Sequence, residues 1–318
     1  MADTTIRRLG TSGLAVSTIG LGANNFGMRL DLAESRKVID AAIDAGITLI
    51  DTSDSYGESE EFLGQSLGAK RDQVVLATKF GSKLRDGRNG PDGEARASRR
   101  YIRTAVESSL RRLQTDHIDL YQLHFPDALT PMDETLAALT ELVREGKVRY
   151  IGSSNLKPWQ VADADWLART RGYERFISAQ NEYSLLERSV EAELVPALDH
   201  YGIGLLPYFP LASGLLTGKY RRGEDAPEGS RIKAWGMQGQ LTDGRFDVVE
   251  ALQAFAEERG ITVLDVAIGG LAAQRSVGSV IAGATSVEQV TANVAAASWQ
   301  PTPEDLVALD QLAPTRRG

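Results

Sequence analysis

Residues able to do acid–base chemistry stand where apolar, strand-like runs stop. Asp51 closes the run Thr48–Asp51, and Tyr56 lies just beyond it. Lys79 falls near the end of Val74–Phe80, and His124 ends Ile118–His124. Ser154 and Asn155 follow Val148–Ser153, and Gln180 sits inside Ile177–Glu182. A carboxylate, a phenol, an ammonium and an imidazole around one pocket can satisfy each other's need for partners. A free tyrosine ionises near pH ~10, too high for easy proton exchange at neutrality. A lysine cation beside it favours the phenolate, and Asp51 would keep that lysine charged and oriented. His124 could then donate a hydrogen bond to a carbonyl oxygen while Tyr56 delivers the proton. No side chain supplies a hydride, so reduction of a carbonyl by this set requires a cofactor.

Taken singly, each residue has a plainer reading. Asp51 precedes Thr52-Ser53-Asp54 and could cap a helix or close a turn. Tyr56 could pack, Lys79 could be solvated, and a lone histidine is more often structural than catalytic. Ser154-Asn155 could cap the helix that begins near Pro158. The joint placement at successive strand ends is what favours chemistry.

The elements that must position these residues alternate. Strand-like runs are Ile19–Leu21, Thr48–Asp51, Val74–Phe80, Ile118–His124, Val148–Ser153, Ile177–Glu182, Gly204–Tyr208 and Val280–Ala282, eight in all. Leu32–Ala45 and Ser98–Leu113 carry apolar residues at helical spacing, and Pro131–Glu145 opens on proline and stops before Gly146. Such alternation implies parallel strands joined by right-handed crossovers. An open dinucleotide-binding sheet is disfavoured, because Gly20-Leu21-Gly22 is followed by Asn24, Asn25 and Phe26 without the third glycine. The expected fold is therefore an α/β (β/α)8 TIM barrel with the polar strand ends on one face. Thr5–Thr18 reads as a preceding hairpin around Gly10-Thr11-Ser12-Gly13. Two stretches read as long loops, Gly81–Ala97 and the glycine-rich Ser213–Arg245. No composition break marks a linker, so residues 1–318 are expected to form one domain.

Composition narrows the function. The chain has 318 residues, 42% of them hydrophobic and 25% charged, with net charge -8. An acidic chain of this kind is a poor partner for nucleic acid. There is no cysteine, which removes disulfides, thiolate metal sites and cysteine nucleophiles, and no metal site is expected. No apolar run is long enough to span a bilayer, and Met1–Arg8 is polar with no signal core after it, so a cytoplasmic location is expected.

At these residues the sequence resembles the aldo-keto reductase superfamily, closest in motif style to its bacterial and potassium-channel beta-subunit-like branch. The carriers are Asp51-Thr52-Ser53-Asp54-Ser55-Tyr56-Gly57, with Ser53 where the family usually has alanine, then Ala77-Thr78-Lys79 and Tyr121-Gln122-Leu123-His124. Gly146–Asn155, Gln180–Ser184, Pro210–Tyr220 and Ala282–Gln289 continue the series in order. The resemblance implies that Asp51, Tyr56, Lys79 and His124 form the catalytic set, with Tyr56 as general acid. It implies that Ser154, Asn155 and Gln180 hold the nicotinamide carboxamide and that Tyr208 stacks on the ring. Phe209, Pro210, Leu211, Ser213 and Gly214 should wrap the pyrophosphate, with Lys219 and Arg231 adding charge. Gly283, Thr285, Ser286, Gln289 and Asn293 should hold the adenosine end, and the hairpin should plug the barrel bottom. The expected cofactor is NADP(H), with NAD possible, because no acid clearly faces the site of the 2′-phosphate and Glu288 can point away. The expected partner is a small carbonyl or alcohol substrate, walled by Asn24, Phe26, Phe80, Phe125 and Trp235. Two other readings compete. One is a cofactor-binding channel subunit with little turnover, against which His124 stands where those subunits carry asparagine. The other is a lyase using Lys79 as a Schiff base.

Overall fold

A computed structural model describes residues 4–83 and 90–315. Part of the expected Gly81–Ala97 loop, residues 84–89, and the chain ends 1–3 and 316–318 lie outside the described residues.

Strands β1 (Ile6–Arg8) and β2 (Ala15–Ser17) form an antiparallel hairpin. Eight strands follow: β3 (Ile19–Gly22), β4 (Leu49–Asp51), β5 (Val75–Phe80), β6 (Ile118–Leu123), β7 (Val148–Ser154), β8 (Phe176–Glu182), β9 (Gly204–Tyr208) and β10 (Val280–Gly283). Every neighbour in this sheet is parallel, and the order is β10-β3-β4-β5-β6-β7-β8-β9. The ring closes where Leu205 pairs in parallel with Val277, through Leu205 N to Ser276 O at 2.7 Å and Gly278 N to Leu205 O at 2.8 Å. This is the eight-stranded parallel barrel that the alternation of runs implied, and each of the eight expected runs is a strand.

The connecting helices are α1 (Leu32–Asp44), α2 (Ser59–Leu67), α3 (Arg99–Leu113), α4 (Met132–Arg144), α5 (Pro158–Arg171), α6 (Leu194–Tyr201), the single turn α7 (Arg231–Ala234), α8 (Asp243–Glu258), α9 (Val263–Ala272), α10 (Val287–Ala296) and α11 (Pro303–Leu312). Their ends follow local chemistry. Asp31 forms a capping box with Glu34 at α1, and the Ser98 side chain accepts from Tyr101 N at α3. Pro131 is itself the cap residue of α4, one position before the helix rather than inside its first turn. The expected Ser213–Arg245 loop is a correction. It holds a 3-10 segment over Ala212–Thr217, α7 and a short turn at Gln238–Gln240, and its Leu215, Leu216, Tyr220 and Ile232 pack with Phe246, Val249 and Val266 of α8 and α9. One-turn helices bury a few apolar side chains without a repeat long enough to show helical period.

Register layers the barrel interior. Leu49, Ala77, Leu120, Leu206 and Ile281 pack with Leu9 and Val16 of the hairpin in one apolar cluster. Two residues further along the same strands stand Asp51, Lys79, Gln122, Tyr208 and Gly283. Side chains two apart on a strand face the same way, so a polar layer lies directly above the apolar one. The hairpin closes the opposite end. Gly10, at φ +59°, lets Thr11 N donate to Gly202 O at 2.9 Å, and a Cβ on Gly10 would lie 2.4 Å from that oxygen. Only glycine fits a left-handed backbone pressed this closely on another chain segment.

Candidate active site

Asp51 ends β4, buried, and its carboxylate is fully engaged. Oδ2 accepts from Lys79 Nζ at 2.5 Å, and Oδ1 accepts from Gln122 Nε2 at 3.0 Å and Gln180 Nε2 at 2.9 Å. It does not cap a helix, so the turn reading of Asp51 fails. Lys79 also donates to Thr52 O at 2.8 Å and is completely buried behind the cavity wall. Burial disfavours the Lys79 ammonium, but Asp51 and Tyr56 outweigh it and hold the lysine above its usual pKa. A lysine held protonated is no Schiff-base nucleophile, which removes the support for the lyase reading.

Tyr56 stands beside this pair, its ring centroid 5.0 Å from Lys79 Nζ and 5.7 Å from the His124 ring. The expectation that Lys79 leaves the phenol more acidic than free tyrosine is corrected. Burial dominates and pushes Tyr56 upward, while Lys79 pulls it down only in part. His124 is pushed down to about 3, by burial first and then by the Lys79 charge. It is therefore neutral at physiological pH and can donate or accept a hydrogen bond without carrying charge. Its Nδ1 lies 3.1 Å from Ser53 Oγ, and its ring stacks on Phe125 at 4.6 Å.

Asp51, Tyr56 and His124 open onto a cavity of about 680 Å³ at the C-terminal ends of the strands. Ser154, Asn155, Gln180, Tyr208, Phe209, Pro210, Leu211, Ser213, Gly214, Lys219, Arg231, Gly283, Thr285, Gln289 and Asn293 all line it. Ser286 does not. Its hydroxyl caps α10 by accepting from Gln289 N. Nor does the neighbouring Glu288 line the cavity. Of the expected substrate walls, Asn24, Phe125 and Trp235 line it, whereas Phe26 and Phe80 do not. Both phenylalanines are fully buried in the main core, Phe80 stacked on Tyr121 at 4.7 Å. They are corrections: Phe80 alternates with Lys79 on β5 and so faces away from the barrel interior, and Phe26, in the loop after β3, packs into the main core.

The polar residues at the strand ends bind one another. Ser154 Oγ donates to Gln180 O at 2.8 Å. Asn155 Nδ2 donates to His124 O at 2.9 Å, and Asn155 Oδ1 accepts from Tyr208 OH at 2.8 Å. Neither serine nor asparagine caps α5, whose cap residue is Lys157. Gln180 gives one of its two amide hydrogens to Asp51.

Three cations line the same cavity. Arg29, Lys219 and Arg231 line the cavity, and none pairs with a carboxylate among the described residues; Asp51 is the one carboxylate in the lining. Burial, then Arg29 and Arg231, lower Lys219, and burial and Arg29 lower Arg231. Arg231 is stacked between Phe209 and Trp235, its guanidinium carbon 5.3 and 4.8 Å from the ring centroids. Asn25 Oδ1, buried in the cavity lining, has no hydrogen-bond partner among the described residues. Phe209, Ala212 and Ser213 take left-handed backbone at φ 52°, 46° and 59°, and Asn155 does so at 60°. Strain of this kind in non-glycine residues gathers at ligand clamps. Cations without a carboxylate partner and a strained lining fit a ligand that carries anionic groups, as a nicotinamide dinucleotide does, and the Asn25 amide oxygen could accept from a donor on it.

Sequence reasoning missed Gln122, Asn25, Arg29 and the contact of Ser53 with His124. Gln122 had a signal, an amide inside the apolar run Ile118–His124, as Gln180 had in its own strand. Arg29 had none, since nothing local distinguishes it from a solvated arginine.

Comparison with known proteins identifies the family. Residues 18–314 match the Aldo/keto reductase family. An uncharacterized oxidoreductase of Bacillus subtilis (strain 168), YrpG, is 36% identical, over 96% of this chain and 95% of its own. A probable voltage-gated potassium channel subunit beta of Oryza sativa subsp. japonica is also 36% identical, over 94% of this chain and 93% of its own. A second uncharacterized oxidoreductase of Bacillus subtilis, YqkF, is 34% identical, over 95% of this chain. With a parallel barrel, a buried Asp51–Lys79 pair beside Tyr56 and His124, and a match spanning nearly the whole length, the chain belongs to the aldo/keto reductase family.

Proposed function

We propose that this protein is an NADP(H)-dependent oxidoreductase that interconverts small aldehydes or ketones and alcohols. The observation that carries the reading is one cavity lined both by Asp51, Tyr56 and His124, with Lys79 paired to Asp51 behind them, and by Arg29, Lys219 and Arg231, none of which pairs with a carboxylate among the described residues. The nicotinamide supplies or accepts the hydride when bound. Lys219, Arg231 and Arg29 would hold its phosphates, Tyr208 its ring, and Thr285, Gln289 and Asn293 its adenosine end.

The chain's own residues handle the oxygen. Neutral His124 donates a hydrogen bond to the carbonyl oxygen and polarises it. Tyr56, kept protonated by burial, gives its phenolic proton to that oxygen in reduction and takes one back in oxidation. As negative charge develops on the phenolic oxygen, the Lys79 ammonium stabilises it. Asp51, fixed by Gln122 and Gln180, holds the ammonium in place. Phe125 and Trp235 offer apolar surface to the substrate.

The test is a panel of carbonyls and alcohols with each nicotinamide cofactor, followed by cofactor absorbance. Turnover supports the reading. A protein that binds NADPH tightly and turns over nothing in the panel is instead a cofactor-binding subunit. The channel-subunit relative makes that second reading worth the measurement.

A further inference from the structure

The contact between Ser53 and His124 is not used by the chemistry above. Ser53 lies in the turn after β4 and is buried, and a hydroxyl has one proton to give and two lone pairs to accept with. Its Oγ is 3.1 Å from His124 Nδ1, 3.0 Å from Ser55 Oγ and 3.4 Å from Asp54 Oδ1, and it accepts from Ser55 N at 3.3 Å. A neutral imidazole carries its proton on one nitrogen only. If Ser53 gave its proton to Asp54 or Ser55, it would have to accept from Nδ1–H, and Nε2 would be bare. A bare Nε2 cannot donate to a carbonyl oxygen.

We propose that Ser53 is a positioning residue: it donates its proton to His124 Nδ1 and so keeps the imidazole proton on Nε2, the nitrogen left for the cavity. Two features support this direction. Asp54 Oδ1 is the most distant of the three acceptors, at 3.4 Å. Burial and the nearby Glu60 push the Asp54 carboxyl up to about 8, against the pull of Arg112, Ser53 and Lys79, so at neutral pH it is mainly protonated and a weak competitor. Ser55 can donate to Ser53 in turn, giving a chain from Ser55 through Ser53 to His124. The proposal rests on the reading of His124 as a donor to substrate.

The experiment is nitrogen-15 NMR of histidine-labelled protein at pH 7, which carries only three histidines. His124 is assigned by the signals missing from a His124→Ala sample. In the wild type its Nδ1 should report an unprotonated acceptor and its Nε2 a protonated nitrogen. Ser53→Ala, which installs the residue usual in the family stretch, should shift the Nδ1 signal. It should also lower kcat for carbonyl reduction roughly five-fold, the scale of one neutral hydrogen bond, with cofactor affinity unchanged. Ser55→Ala should retain the wild-type His124 signals. A protonated Nδ1 in the wild type, an unmoved Nδ1 signal in Ser53→Ala, or an unchanged kcat in that variant overturns the proposal. If the wild type turns over no carbonyl, the proposed function falls, while the nitrogen signals still decide the tautomer.

Discussion

In the proposed reaction, Tyr56 and His124 would divide the work by what burial does to each. Burial raises the phenol and lowers the imidazole, so both are neutral across the physiological range. Of the two, only Tyr56 can lose a proton to a developing alkoxide and leave an anion stabilised by Lys79, 5.0 Å from its ring. Tyr56→Phe keeps the ring and removes that proton. Its kcat for carbonyl reduction is expected to fall roughly 10²-fold or more, the scale of general acid catalysis, with NADPH affinity unchanged. Because the folded pKa lies above ~10, the wild-type rate should not decline through loss of this proton anywhere below that pH. Near-normal turnover in Tyr56→Phe, or a limb near neutrality that vanishes in it, would remove Tyr56 from the role. The candidate set Asp51, Tyr56, Lys79 and His124 was legible because its members stand at or near the ends of strand-like runs. What stayed hidden was who holds whom. Asp51 Oδ1 is bonded by amides 71 and 129 residues away, and a single sequence carries no trace of such pairing.

At the level of elements, the turn from β4 into α2 packs against β5 and α3 through buried polar groups. Thr78 Oγ1 donates to Glu60 Oε1 at 2.6 Å, Arg112 Nε donates to Glu60 Oε2 at 2.6 Å, and Asp54 N donates to Lys79 O at 3.1 Å. Asp54 Oδ2 has no partner there. With its folded pKa raised to about 8, Asp54 binds a proton in the native state that the unfolded chain releases near pH ~4. The native state therefore binds more protons between these values, and stability from this group is lost as pH rises through that window. Asp54→Asn has no such ionisation. Its melting temperature relative to wild type should climb between pH 5 and pH 9, as measured by thermal unfolding at each pH. A constant difference across that range would show that Asp54 does not titrate there. The eight strands were readable as short apolar runs, and α1, α3 and α4 from period and caps. The Ser213–Arg245 segment was not, because the left-handed Ser213 at its start and the four-residue α7 leave no periodic mark. Its glycines signalled a loop, while its packing under α8 and α9 depends on contacts that sequence does not display.

Across the whole molecule, charge is distributed against its average. The chain carries net charge -8, yet its cavity is lined by Arg29, Lys219 and Arg231, none with a carboxylate partner among the described residues. The acidic total made a nucleic-acid partner unlikely at the sequence level, but it concealed a local field that draws small anions. Cofactor choice follows from where that field reaches. NADP differs from NAD by the adenosine 2′-phosphate. Arg231 stands next to Gly283, where a Cβ would lie 3.5 Å from its Nη2, and Gly283 opens the loop to Thr285 and Gln289. Glu288, the first acid in sequence after that loop, does not line the cavity. A phosphate there would meet a half-buried guanidinium, lowered by burial and Arg29, that has no carboxylate partner among the described residues. NADPH is therefore expected to bind more tightly than NADH by about 1–3 kcal/mol, the range of charge-assisted hydrogen bonds. Arg231→Ala should narrow that gap by weakening NADPH more than NADH, and the NADPH advantage should shrink as salt rises. Titration of both cofactors into wild type and variant, by quenching of protein fluorescence, measures all four dissociation constants. Equal wild-type constants would put the 2′-phosphate out of reach of these cations. Equal losses in Arg231→Ala would move Arg231 to the diphosphate that both cofactors share.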